Sequence, residues 1–301
     1  MNIFGSHHFR DHHADGSSAY KGVLSAENIA KVMFLSVVSY GLGFYISYLL
    51  LRYLSISQYG DVMVARQILT VASTVLLMGT KNVSKRFLIF YLREKSKRYI
   101  DFIWWHMGYI FRLFLGFSIA YTVFVLLFVA LDSMGLFVMH KFHIAFWSLA
   151  SAPLYAFAMI LTIYLLAFGF VLTYDFIVEI LLNMLWVFLI FSWMYWAPDP
   201  SNWDLVCFLV AQSILFFSIL LVCTVILLKK PLKHVFSHDQ DHLFDTLWIK
   251  DRFSSLLIDL YSSSPVMILL LVLEVLGAND NLPGHYSLCL SISVLFYIIP
   301  Q

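Results

Sequence analysis

Apolar residues run through this chain in long uncharged or nearly uncharged stretches, not in the strict alternation of half-buried strands. Val32–Leu51 carries no charge. Val62–Gly79 follows, interrupted by Arg66. Tyr109–Leu131 holds Arg112. Ile144–Phe168 is uncharged and contains Pro153. Phe176–Trp196 has Glu179 near its start, and Leu205–Leu228 is again uncharged. Phe253–Leu273 holds Asp259 and Pro265, and a shorter run begins at Tyr286. At ~1.5 Å per residue the first seven are long enough to cross most of a ~30 Å hydrocarbon core. The pattern predicts an all-α polytopic bundle of about eight transmembrane helices. The last run, Tyr286 to Gln301, would rise only about 24 Å at that pitch. It reads as a crossing cut short, in the front part of a longer, C-terminally truncated protein.

Composition agrees with the pattern. Hydrophobic residues make up 61% of the chain and charged residues 12%, where a soluble domain averages about 25% charged. Lipid has to cover most of such a surface. No cleavable leader is visible, since the first segment is polar and the first apolar run is long enough to stay in the membrane. Cys207, Cys223 and Cys289 sit inside apolar runs with no CxxC spacing, which makes them small packing residues.

Charge gives the orientation. Arg10, Lys21 and Lys31 precede the first run. Lys81, Lys85, Arg86, Arg93, Lys95, Lys97 and Arg98 follow the second. Lys229, Lys230, Lys233, Lys250 and Arg252 follow the sixth. The alternate loops carry Arg52 and Lys141. The positive-inside rule then puts the N-terminus in the cytoplasm. Trp147, Trp196 and Trp203 fall at the outer interface, and Trp104 and Trp105 at the inner one. The resulting division is a disordered cytoplasmic tail (1–31), a first six-helix bundle (32–228), a cytoplasmic loop (229–252) and the start of a second, incomplete bundle (253–301). Outer loops are short, which leaves no extracytoplasmic catalytic domain.

The passage from the first run into the second recurs, loosely, from the seventh into the eighth. YLLLRYLSISQYGDVMVARQIL is the first copy and ILLLVLEVLGANDNLPGHYSLCLSISVL the second, pairing Gly60 with Gly284 and Val62 with Tyr286. The offset of six helices is even. Both copies start on the same side, as in the parallel repeats of many secondary transporters.

LLLRYLSISQYGDVMVARQIL resembles the N-terminal signature of polysaccharide flippases of the multidrug/oligosaccharidyl-lipid/polysaccharide exporter superfamily. Arg52, Leu54, Tyr59 and Gly60 match that signature, while Ser55 stands where the family has glycine. LMGTKNVSKRFLIFYL is similar to the end of the family's second helix through Gly79, Lys85 and Arg86. VLGANDNLPGHYSL is similar to the start of its second half. The resemblance implies two helical bundles, twelve to fourteen helices in the whole family fold, and transport of a polyprenyl-diphosphate-linked oligosaccharide for surface polysaccharide such as O-antigen lipopolysaccharide. It also implies the cytoplasmic (inner) membrane as location. Membrane lipids and polysaccharide-assembly proteins would be the partners, with no nucleic acid and no cofactor.

Such transport breaks no bond. It needs groups that grip a diphosphate, and guanidinium does so with several directed hydrogen bonds and a permanent charge. Arg66, inside the second run, either faces a wet cavity or snorkels to the outer interface. Arg52 is a second candidate for substrate binding, or a turn residue. Arg112 is a third, or an interfacial anchor. Asp175 and Glu179 share a helix face at i, i+4, extended by Asn183. With Asp259, near Ser254, Ser255 and Ser262, they are candidates for a coupling ion; interfacial exposure, or pairing of the first two with Arg112, is the alternative. His7, His8, His12 and His13 and the HDQDH segment (His238, His242) lack the context of a metal site. A drug or cation antiporter of the same superfamily would favour acidic cavity residues. A membrane glycosyltransferase or polymerase would need acids on outer loops, for which only Asp199 and Asp204 offer themselves.

Overall fold

A computed structural model describes residues 26–94, 96–134, 143–197, 199–229, 247–276 and 281–296. The histidine-rich tail, most of the segment after the sixth run with its HDQDH motif, and the last residues lie outside that set. Among the described residues every regular element is helical. They are α1 (Ala26–Tyr53), α2 (Ile56–Leu76), α3 (Thr80–Arg93), α4 (Arg98–Ser133), α5 (His143–Ser148), α6 (Ala152–Ala167), α7 (Val171–Asp175), α8 (Leu182–Trp196), α9 (Asn202–Leu227), α10 (Leu247–Leu276) and α11 (Leu282–Phe296). A 3-10 turn, Leu149–Ser151, joins α5 to α6, and a π turn, Phe176–Leu181, joins α7 to α8.

Among the described residues five helical stretches are long and apolar enough to cross a membrane: Met33–Tyr53, Arg98–Leu131, His143–Ala167, Val171–Trp196 and Asn202–Leu227. The pair α2 and α3, bent by 55°, makes a sixth if it is one span. The chain is thus a helical membrane protein. α10 and α11 cover the last two expected crossings as helices but are not among those six.

Local sequence explains the boundaries. The Ser55 side chain accepts from the Gln58 backbone N–H, and the Gln58 side chain accepts from the Ser55 N–H, a reciprocal cap that starts α2. That starts the helix ahead of Val62, where the apolar run begins. Ser201 and Asp204 cap α9 in the same way. Pro153 sits in the first turn of α6, where its missing N–H costs nothing. The region around Lys81–Arg98 departs from expectation, because most of this basic loop is helix α3. α4 likewise begins at Arg98, well before Tyr109, and α10 at Leu247, before Phe253.

α2 is the hub. It packs on α5, α6, α10 and α11, and α1 packs on α8 and the π turn. Contacts sort the connections into two ends. At one, the Tyr53 hydroxyl donates to the Ala197 carbonyl and, at 3.2 Å, to that of Trp193. There too the Gln58 amide donates to the Pro200 carbonyl at 3.0 Å, and Trp147 packs on Trp203 with centroids 5.3 Å apart. At the other end Trp248 packs against Phe102 and Trp105, both with centroids 5.2 Å away, and donates to the Tyr91 hydroxyl at 3.0 Å. Half-buried Trp105 therefore joins an aromatic cluster that links α3, α4 and α10 at this end of the bundle. α4 is longer than a bilayer needs, about 54 Å at ~1.5 Å per residue, so its first turns reach past the core and pack there. Further along, Phe111, Leu115, Ile119, Val123 and Leu126 stay exposed, a face suited to acyl chains.

Two glycines allow backbone-to-backbone contact. A Cβ on Gly60 would lie 2.8 Å from the Gly284 backbone nitrogen, and one on Gly284 would lie 2.2 Å from the Ile56 carbonyl oxygen. The starts of α2 and α11 therefore meet at the same end. At the other end of α2, Gly79 meets the backbone of Arg252 and Leu256, so α10 runs antiparallel to α2.

Candidate functional site

Arg66 lies midway along α2, ten positions from either end, so about 15 Å of helix at ~1.5 Å per residue separates it from each. It is deeper than its distance from Gly60 suggested, because the capping box starts the helix earlier. The side chain is half-buried. Its guanidinium stands 5.0 Å from the centroid of the Trp186 ring, a cation–π contact that offsets part of the cost of a charge in an apolar setting. Trp186 is 3% exposed and is braced edge-on by Phe208, centroids 5.1 Å apart. Among the described residues no carboxylate forms an ion pair with Arg66.

One turn before Trp186, the Asn183 amide donates to the Ser39 hydroxyl of α1 at 3.0 Å and to the Glu179 carbonyl at 2.7 Å. Glu179 belongs to the π turn, and Asp175 directly precedes it. The wider helical turn shifts the backbone bonds of this stretch, and Asn183 ties it to α1. Both carboxylates are half-buried. Asn183→Ala is expected to cost about 1 kcal/mol, the usual size of an interhelical side-chain bond in a membrane protein. Unfolding of the purified protein in mixed micelles measures it.

The other sequence-derived candidates scatter. Arg52 is exposed in the last turn of α1. Arg112 is also exposed, about four turns into α4 because that helix begins early. Asp259, half-buried on α10, accepts from the Asn82 amide of α3 at 2.8 Å, and Lys81 is a charge neighbour of the same carboxylate. On the same helix, the Arg252 guanidinium stands 4.5 Å from the Tyr109 ring centroid. Asp259 thus joins α10 to the segment just past the α2–α3 break. Of the six, only Glu179 and Asp175 are adjacent in space by virtue of one helix.

His106 is a buried polar centre that the sequence did not announce. It is 0% exposed on α4. Its Nδ1 lies 2.8 Å from the Tyr164 hydroxyl, and the Ser84 hydroxyl lies 3.1 Å from the ring. Phe102 stacks on it with centroids 5.6 Å apart. The three polar groups come from α3, α4 and α6 and satisfy one another, as buried polar groups must. A lone histidine in an apolar run carries no spacing signal that would pick these partners.

Among the described residues no group of three or more His, Cys, Asp or Glu side chains is placed to hold a metal ion. No family model, no curated protein and no solved structure matches the chain.

Proposed function

We propose that this chain is a membrane transporter that carries a polyprenyl-diphosphate-linked oligosaccharide from the cytoplasmic to the outer leaflet, for synthesis of a surface polysaccharide of the O-antigen kind. The observation that carries the reading is Arg66: a permanent cation halfway along the hub helix α2, held on Trp186 and paired with no acid among the described residues. An arginine at mid-bilayer costs roughly 2.5–3.5 kcal/mol on insertion scales. A chain that bears that cost at its hub helix has a use for the charge, and an anionic diphosphate anchor is the ligand that guanidinium grips best.

Two further observations support it. Gly60 and Gly284 are the positions paired by the sequence repeat, and they touch. Equivalent residues of a two-fold repeat meet only near its axis, so this contact fits an eight-crossing arrangement with a parallel repeat. The basic residues Lys85, Arg86, Arg93, Lys97, Arg98, Lys229 and Lys250 are exposed at the Trp248 end of the bundle, as expected for a cytoplasmic face. Asp259 already has Asn82 and Lys81 beside it. So compensated, Asp259 is a poor seat for the cationic cargo of a drug antiporter.

The test is translocation. Vesicles containing the chain should accelerate inward quenching of a fluorescent polyprenyl-diphosphate oligosaccharide relative to protein-free vesicles, and should leave cationic dyes undisturbed. Proton-driven dye efflux without lipid translocation would favour the antiporter reading. Incorporation of labelled sugar by the purified chain would favour an enzyme.

A further inference from the structure

Two lengths place α3. α2 alone is about 31 Å long at ~1.5 Å per residue, close to the ~30 Å hydrocarbon core. The chain then breaks at Met78 and Gly79, both with positive φ (48° and 74°), and turns by 55°. With α2 crossing the hydrocarbon, α3 would start near the edge of one leaflet, and it runs 55° off the axis of α2.

Its side chains fit that boundary. Val83, Ser84, Leu88 and Tyr91 are buried on one face. Lys85, Arg86, Ile89, Phe90 and Arg93 are exposed on the other. The exposed five fall at i, i+1, i+4, i+5 and i+8, a single helical stripe. A helix facing only water would have no reason to show Ile89 at 39% and Phe90 at 45% exposure between its cations. A helix facing acyl chains would not carry Lys85 and Arg93. A helix that leaves the core obliquely through the interface accommodates both, with apolar side chains below the headgroups and cations at phosphate level. Exposed Lys97 and Arg98 continue the positive charge past the end of α3, where Glu94 is the bordering acid.

We propose that α3 runs obliquely through the headgroup layer and binds anionic phospholipid, with Lys85 and Arg93 on the headgroups and Ile89 and Phe90 in the acyl boundary. Net negative charge distinguishes this partner from a zwitterionic lipid, whose phosphate is balanced by its own amine. The site is separate from Arg66 and does not depend on what the transporter carries.

The experiment uses the whole chain in nanodiscs of phosphatidylcholine mixed with phosphatidylglycerol. Spin-labelled versions of each lipid report how strongly each is held at the protein surface. The protein should hold phosphatidylglycerol in preference, and raised salt should erase the preference. Lys85→Gln/Arg93→Gln should lower it by roughly fivefold per charge removed, with helix content and unfolding midpoint unchanged. A bimane label on Ile89→Cys, in a chain with its native cysteines replaced by serine, should be quenched by brominated acyl chains. Wild-type preference that survives high salt, an unchanged preference in the double variant, or bimane quenched by aqueous iodide and not by brominated lipid would each overturn the proposal.

Discussion

Gly79→Ala is expected to pry α10 away from the end of α2. The position fails for two independent reasons. Its φ is 74°, a conformation that costs an L-residue roughly 1–2 kcal/mol. A Cβ there would also lie 2.0 Å from the Arg252 carbonyl oxygen and 2.6 Å from the Leu256 nitrogen. Both are backbone atoms of a helix and cannot rotate aside. Overpacking of this kind costs a further 1–3 kcal/mol or so. The sum, about 2–5 kcal/mol, falls on the contact that also carries the Asn82–Asp259 hydrogen bond and the Arg252–Tyr109 stack. Gly116→Ala is the control, since a Cβ there meets nothing within 4 Å. It should be neutral or slightly stabilising, because alanine is the better helix former by about 0.5–1 kcal/mol. Denaturant unfolding in mixed micelles compares the two. Equal midpoints would mean that the junction between α2 and α10 is looser than its geometry says.

The same junction marks where the sequence stopped being readable. Long uncharged runs give away α1, α6 and α9, because lipid imposes one requirement on every residue of a crossing. For α9 the apolar run Leu205–Leu228 and the helix Asn202–Leu227 differ by a few residues, the excess being the polar cap at Ser201 and Asp204. α3 was hidden because it obeys a different rule. Its buried residues recur only at helical spacing, and its lysines and arginines read as a loop. The bend before it needs a neighbour to explain it: Gly79 is permissive by itself, and α10 is what presses on it. Likewise the pairing of Gly60 with Gly284 was visible as a repeat of letters, whereas their contact depends on how α2 and α11 pack. Of the candidate site, Arg66 was legible as a charge in an apolar run. Trp186 was not, since one tryptophan among many apolar residues gives no hint of which cation it faces. His106 shares that silence, its partners lying far away in α3 and α6.

Arg66→Leu should separate stability from transport, and in opposite directions. If the arginine were there to hold helices together, removing it would weaken the fold and lower transport only as far as folded protein is lost. A cation at mid-helix without an acidic partner among the described residues does the reverse. Leucine removes a charge whose burial costs roughly 2.5–3.5 kcal/mol, minus the Trp186 contact, worth about 0.5–2 kcal/mol. The variant is therefore expected to unfold at the same or a higher denaturant concentration. Translocation of the diphosphate-linked lipid should nevertheless fall about tenfold to a hundredfold, the range that loss of a hydrogen bond to a charged group worth roughly 1.5–3 kcal/mol produces. Arg66→Lys should recover part of that loss, because it restores the charge without the fork of donors that fits phosphate oxygens. Trp186→Leu should leave the charge in place but free it to wander, giving a smaller defect. A leucine variant that is less stable and transports in proportion to what remains folded would assign Arg66 to the scaffold, and the diphosphate would have to be gripped elsewhere.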